Sequence, residues 1–183
     1  MFEFDEKQLT LDLLNLKTPV IEVREEISYN VYNRIEFSLT YLRTKNSPDI
    51  EIVISSHGGM LAASLDLYDM LRLYKGKKTG IVEHQAASMA AILLQACDIR
   101  KCALHATLLI HCVSMGWVRF DQLTDRKKLN QLRRDLTLDQ SRLEVIVAAH
   151  TGKSLKAVRR KMNENKMMTA EEALEFGLID GII

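Results

Sequence analysis

Three short stretches of this 183-residue chain carry residue types that can do chemistry. In Gln85-Ala86-Ala87-Ser88-Met89-Ala90 a lone serine stands among small residues, shortly after a strand-like run and at the start of an apolar helix. A hydroxyl placed there is either a helix N-cap, accepting from a backbone N–H of the first turn, or an exposed nucleophile. The second reading needs a base. His111 closes the apolar run Leu108-Leu109-Ile110, at a strand end, and only the fold can bring it to Ser88. In Ser55-Ser56-His57-Gly58-Gly59, between a strand and a helix, the glycines permit either a plain turn or a close backbone approach to a ligand.

The elements that must position these residues follow from apolar spacing. Ile27, Val31, Ile35, Leu39 and Leu42 recur at helical intervals, Asn46-Ser47-Pro48-Asp49 ends that helix, and Ile50 to Ile54 reads as a buried strand. Leu61, Leu65, Tyr68 and Leu71 predict a second amphipathic helix, followed past Gly76 and Gly80 by a short strand around Ile81-Val82. A small helix from about Ser88 to Ala96 and short strands at Lys101 to Leu104 and Leu108 to Ile110 complete an alternation that predicts an α/β fold. From Trp117 to Thr151 there is neither Gly nor Pro, and a helical rhythm runs through Leu129, Leu132, Leu136, Leu143 and Ile146. One long helix, on the order of 40 Å, is expected over much of that span, projecting to meet another subunit. The alternative is two helices broken near Thr137-Leu138.

The length and the 47% hydrophobic content suit one compact domain, and no Gly/Ser-rich linker divides the chain. A balance of 25 Lys plus Arg against 24 Asp plus Glu provides no field to steer nucleic acid or an anionic membrane, so neither is expected as a partner. No apolar run approaches the roughly 20 residues that cross a bilayer. Cys97, Cys102 and Cys112 are odd in number, and the N-terminus MFEFDEKQLT is acidic, unlike a secretory signal. A reducing, cytoplasmic setting is expected. Cys97, Cys102, His105, His111 and Cys112 lack the paired C-x₂-C spacing of common zinc sites, so no metal and no cofactor is expected.

Taken in order, Ser56-His57-Gly58-Gly59, His84-Gln85-Ala86-Ala87-Ser88-Met89-Ala90, Leu109-Ile110-His111, His150-Thr151-Gly152 and Glu172-Ala173-Leu174-Glu175-Phe176-Gly177-Leu178-Ile179-Asp180 resemble the motifs of the proteolytic subunits of the ATP-dependent Clp protease. The resemblance covers residues from about 20 to 183. It implies a ClpP/crotonase-like fold of stacked ββα units in one peptidase domain over 1–183. The head would comprise about 20–110 and 152–183, and a long handle helix about 112–151. It also implies a serine endopeptidase, with Ser88 as nucleophile, His111 as general base, and the N–H groups of Gly59 and Met89 as oxyanion hole. A side chain at 59 would then crowd the substrate carbonyl. The implied partners are further copies in a heptameric ring, single or double, other Clp subunits, an AAA+ unfoldase, and protein or peptide substrates. The implied compartment is the cytoplasm, a plastid stroma or the cytoplasm of a virus's host.

The chain departs from the family at the third catalytic position, where alignment on Thr169-Ala170-Glu171-Glu172-Ala173 puts Asn165 in place of Asp. An amide oxygen can accept the histidine N–H, as in Cys-His-Asn proteases, but carries no charge. The neighbouring Glu164 stands where the family has the Arg used between rings, and could itself substitute for the missing carboxylate. Ser114 to Phe120 is bulkier than the family's glycine-rich strand. Glu51 and Val53 replace aromatic residues of the unfoldase docking pocket, and the N-terminal gating segment is expected to be short. A noncatalytic or weakly active ring subunit is therefore the main alternative function. An acyl-CoA enzyme of the crotonase type, sharing the two-amide oxyanion hole, is a further one.

Overall fold

A computed structural model describes residues 18–183. The expected N-terminal gating segment lies before them, outside the described residues. Their strands are β1 (Val20–Val23), β2 (Ile50–Ser56), β3 (Lys78–Ala87), β4 (Ile99–Cys102), β5 (Thr107–Leu109) and β6 (Gly181–Ile182), all paired in parallel. The helices are α1 (Tyr29–Thr44), α2 (Leu61–Arg72), α3 (Met89–Leu94), α4 (Phe120–Thr124), α5 (Arg126–Thr151), α6 (Leu155–Glu164) and α7 (Ala170–Phe176). The sheet runs β1-β2-β3-β4-β6, with β5 also on β3. This is the expected mixed α/β fold. Because helices cover such a sheet, β2 is buried almost throughout rather than on alternate residues, with Ile50, Ile52, Val53, Ile54 and Ser56 all buried. Among the described residues no helix is long and apolar enough to cross a membrane.

One strand differs from the sequence reading in a way that builds the site. The segment around Ile81-Val82 is not a short strand but part of the ten-residue β3. Glu83-His84-Gln85 interrupts its apolar pattern, yet hydrogen bonding continues. One edge pairs with β4 over Thr79 to Val82 and then with β5 over Gln85 to Ala87, while the other follows β2 as far as Ser56↔Ala86. Backbone pairing, invisible to a hydrophobicity pattern, extends the strand. Its end therefore lies beside the end of β5, one residue before Ser88 and two before His111.

The long helix is present as α5, whose 26 residues span about 39 Å. The chain breaks before it, at Asp125, and not at Thr137-Leu138. Asp125 Oδ1 accepts from the N–H groups of Lys127 and Lys128 at 2.8 and 3.1 Å, an N-cap that starts a new helix after α4. At the alternative breakpoint Thr137 Oγ1 donates to Arg133 O at 2.7 Å inside continuous helix. The buried residues of α5 are Leu143, Glu144 and Val147, all in its C-terminal half, so the first half projects from the core.

Candidate active site

Parallel pairing of β3 with β5 brings the serine and histidine segments together. The Ser88 N–H donates to Leu109 O at 2.8 Å, tying the residue after β3 to the end of β5. A cavity of about 100 Å³ opens there, at the C-terminal ends of the strands, where parallel sheets place their sites. Ser88, His111, Gly59 and Met89 all line it, with Ile92 and Ile110 supplying apolar wall.

Ser88 is half-buried, with φ 56° and ψ −127°, a conformation that costs a non-glycine residue about 1–3 kcal/mol. Its side chain makes no capping hydrogen bond. The N-cap explanation of this serine thus fails: an N-cap has extended backbone and gives its oxygen to the helix, whereas Ser88 does neither. The strained strand-to-helix turn instead leaves Ser88 uncapped in the lining of the cavity.

The glycine turn packs beneath it. Gly58 has φ +98°, and a Cβ there would lie 2.7 Å from Ala87 O and 2.8 Å from both Met89 N and Ser88 Cβ. Ser56 Oγ holds the turn, donating to Glu25 O at 2.6 Å and accepting from the Gly58 N–H at 3.1 Å. A Cβ on Gly59 would lie 2.6 Å from Ile27 N. The Gly59 side chain is therefore excluded by Ile27 backbone, a reason that the sequence reading, which looked to the substrate carbonyl, did not contain. Ile27 straps the loop from both sides, with its N–H donating to Gly58 O and its carbonyl accepting from the Met60 N–H, each at 2.8 Å. Neither the Gly59 nor the Met89 N–H has a backbone acceptor among the described residues, and at Met89 this follows from its place as first residue of a helix.

His111 is half-buried, and its Nδ1 lies 2.6 Å from Cys112 O. A carbonyl only accepts, so the contact puts the imidazole proton on Nδ1 and leaves Nε2 with a free lone pair. Among the described residues no hydrogen bond joins His111 to Ser88 Oγ; catalytic contacts are often loose until substrate binds. Among the described residues no hydrogen bond joins Asn165 to either, and it does not line the cavity. It caps α6 in the left-handed region (φ 45°, ψ 45°), and it is exposed. The antiparallel bridge between Leu108 and Met168, bonded at 2.7 and 3.0 Å, nevertheless puts His111 and Asn165 at equal offsets of three residues from it. Glu164 is engaged elsewhere, by Lys161 Nζ at 2.7 Å.

Cys112 also lines the cavity, but burial pushes its thiol pKa up and its Sγ is 3.1 Å from Asn163 Oδ1. A protonated, engaged thiol is a poor competitor for Ser88. His57 is exposed, with Gln85 Nε2 2.8 Å from Nδ1, and the exposed His84 lies 3.4 Å from Ser55 Oγ. The remaining motifs are architectural. Gly152 caps α5 in the left-handed conformation, Thr169 and Glu172 form a capping box on α7, and Asp180 pairs with the buried Arg100 at 2.5 Å.

A family model described as Clp protease matches residues 6–183, nearly the entire chain. The parallel sheet with its covering helices is consistent with the ClpP fold, and the chain belongs to the Clp protease family, a family of peptidases.

Proposed function

We propose that this chain is a serine-type endopeptidase subunit of a self-compartmentalising protease, one domain with a head and a projecting handle, in which Ser88 attacks and His111 moves the proton. The observation that carries the reading is the strained, uncapped Ser88 lining the same small cavity as His111 and the two unpaired amides of Gly59 and Met89.

Ser88 Oγ forms a bond to the scissile carbonyl carbon while its proton passes to His111 Nε2. The C=O electron pair moves onto oxygen, and the resulting oxyanion accepts from the Gly59 and Met89 N–H groups. Collapse breaks the C–N bond, with the imidazolium returning its proton to the leaving amine. Water then repeats the sequence on the acyl-serine, giving its proton to Nε2, and Oγ leaves reprotonated. The two amides act where charge develops, and one such donor is worth about 10²–10³ in turnover.

Assembly belongs to the same proposal. Trp117 and Phe120 are 77% and 79% exposed at the approach to the handle, and Leu123 and Leu138 are exposed along it, apolar area suited to burial between copies in a heptameric ring. On β2, Val53 is buried and Glu51 half-buried. An unfoldase partner docking there would meet no aromatic side chain at these two positions.

The deciding experiment is labelling with a fluorophosphonate or β-lactone probe, with mass mapping. Modification at Ser88 that disappears in Ser88→Ala and in His111→Ala supports one catalytic unit. No modification of a fully assembled wild-type ring would instead make this a noncatalytic subunit.

A further inference from the structure

A chain of hydrogen bonds leads from His111 into the handle. The carbonyl that faces His111 Nδ1 belongs to the peptide joining Cys112 and Val113, and the N–H of that same peptide donates to Gln140 Oε1 at 2.8 Å. Gln140 Nε2 donates in turn to Glu144 Oε1 at 2.9 Å. Glu144 is 1% exposed and accepts from Arg159 Nε and Nη2 at 2.9 and 2.7 Å. The direction of each link is fixed by chemistry. A peptide N–H only donates and a carboxylate only accepts, so the amide of Gln140 has one orientation that serves both.

On the reading of Ser88 and His111 as a catalytic pair, we propose that Gln140 and Glu144 are positioning residues that hold His111 in its Nδ1–H tautomer through the Cys112–Val113 peptide. In a serine protease triad a carboxylate bonds the imidazole directly and fixes which nitrogen is bare. Here the carboxylate stands one amide and one peptide away. Its charge polarises Gln140, which draws on the peptide N–H and leaves the carbonyl oxygen a better acceptor, since linked hydrogen bonds strengthen one another. Arg159 is 61% exposed, so water screens the cation while the carboxylate stays inside the protein. The other groups around the relay are the Cys112 thiol, turned to Asn163, and Met162 Sδ, 3.3 Å from Gln140 Nε2. Gln140 and Glu144 lie one turn apart on α5, so the helix supplies both from a single face.

The alternative is that these residues only tie α5 to α6, and a measurement on the imidazole itself separates the two. The full chain, ¹⁵N-labelled at its five histidines, is sedimented in its native assembly and its ring nitrogens are read by magic-angle-spinning NMR. Spectra are taken near pH 8.5, above the usual histidine range. His111→Gln assigns the signal. Wild type should show His111 as Nδ1–H. Gln140→Met, which keeps length but removes both bonds, should move the tautomer ratio toward Nε2–H by at least about threefold. Glu144→Gln, which keeps shape but removes charge, should move it less in the same direction. An Nε2–H imidazole in wild type, or an unchanged ratio in Gln140→Met, overturns the proposal. If Gln140→Met does not assemble, Glu144→Gln decides alone by the same outcomes. The tautomer is read without turnover, so failure here is distinct from failure of the peptidase reading, which shows as unlabelled Ser88.

Discussion

Gly58 sits so close beneath Ser88 that a Cβ on it would lie 2.8 Å from the Ser88 Cβ. Two loops from different strands thus set one strained residue, and a methyl group at 58 presses on Ala87 O, Met89 N and the Ser88 Cβ. Alanine there also has to adopt φ +98°, at a cost of about 1–3 kcal/mol. We expect Gly58→Ala to assemble with lowered stability and to slow probe labelling of Ser88 at least about tenfold, equivalent to ~1.4 kcal/mol of displaced geometry. Labelling at the wild-type rate would show that the turn does not set the serine.

The handle makes its own prediction. Apolar side chains exposed at Trp117, Phe120, Leu123 and Leu138 are expected to be covered by neighbouring copies. Sedimentation or native mass spectrometry should give a heptameric ring. Because Glu164 is held by Lys161 within its own helix rather than standing as a free Arg, single rings should be populated beside any double ring. Phe120→Asp should shift the distribution to smaller species. A concentration-independent wild-type monomer would remove the enclosed chamber.

Much of the architecture was legible because burial writes itself into apolar spacing. Val31 to Leu42 gave α1 and Leu61 to Leu71 gave α2, each at helical period, whereas Ile27, read into the first of these, lies before α1 and bridges to Gly59. What was not legible rests on backbone chemistry. The second half of β3 is polar in sequence and held by ladder bonds to β5. The Asp125 break is a cap, which carries no hydrophobic signal. At the site, Ser88 and His111 could be named from residue type and motif, but the conformation that denies Ser88 an N-cap role could not. Nor could the Cys112 carbonyl, since every residue has one. Gln140 and Glu144 left a faint signal: two polar residues one turn apart on the stripe that includes the buried Leu143 and Val147.

Acid should loosen the fold through two carboxylates. The hydrogen bonds from Arg159 hold Glu144 below its ordinary value of 4.5. At Asp180 burial pushes upward, but hydrogen bonds from Arg100 outweigh it and lower the value from 3.8. With native values below unfolded ones, the unfolded chain binds more protons as pH falls through that window, so stability is full above it and lost below. We expect denaturation midpoints at fixed protein concentration to fall below about pH 4.5. Asp180→Asn should flatten that fall and cost about 1–2 kcal/mol at neutral pH, at the low end for a pair with one partner partly exposed. An unaltered acid profile in both Asp180→Asn and Glu144→Gln would assign the linkage elsewhere.

The last prediction concerns Asn165, which alignment puts in the place of a catalytic Asp and the structure puts at the left-handed cap of α6. Its backbone dictates how it is tested. Alanine would be strained at φ 45°, mixing lost stability with lost chemistry, whereas glycine adopts that conformation freely and removes only the side chain. If the Cys112 carbonyl already fixes the tautomer of His111, Asn165→Gly should hydrolyse a short fluorogenic peptide within about twofold of wild type, since no hydrogen bond to His111 is lost. Asn165→Asp should be faster. Aspartate also tolerates the left-handed region, and a carboxylate at the residue matched to His111 across the Leu108–Met168 bridge favours the imidazolium formed when Ser88 loses its proton. A gain of about tenfold needs only ~1.4 kcal/mol of that stabilisation. Short peptides make the assay independent of any unfoldase, and ring mass is checked for each variant. A large loss in Asn165→Gly with rings intact would mean that the amide swings onto His111 during turnover, and the orienting role would pass from the peptide carbonyl back to the side chain at 165.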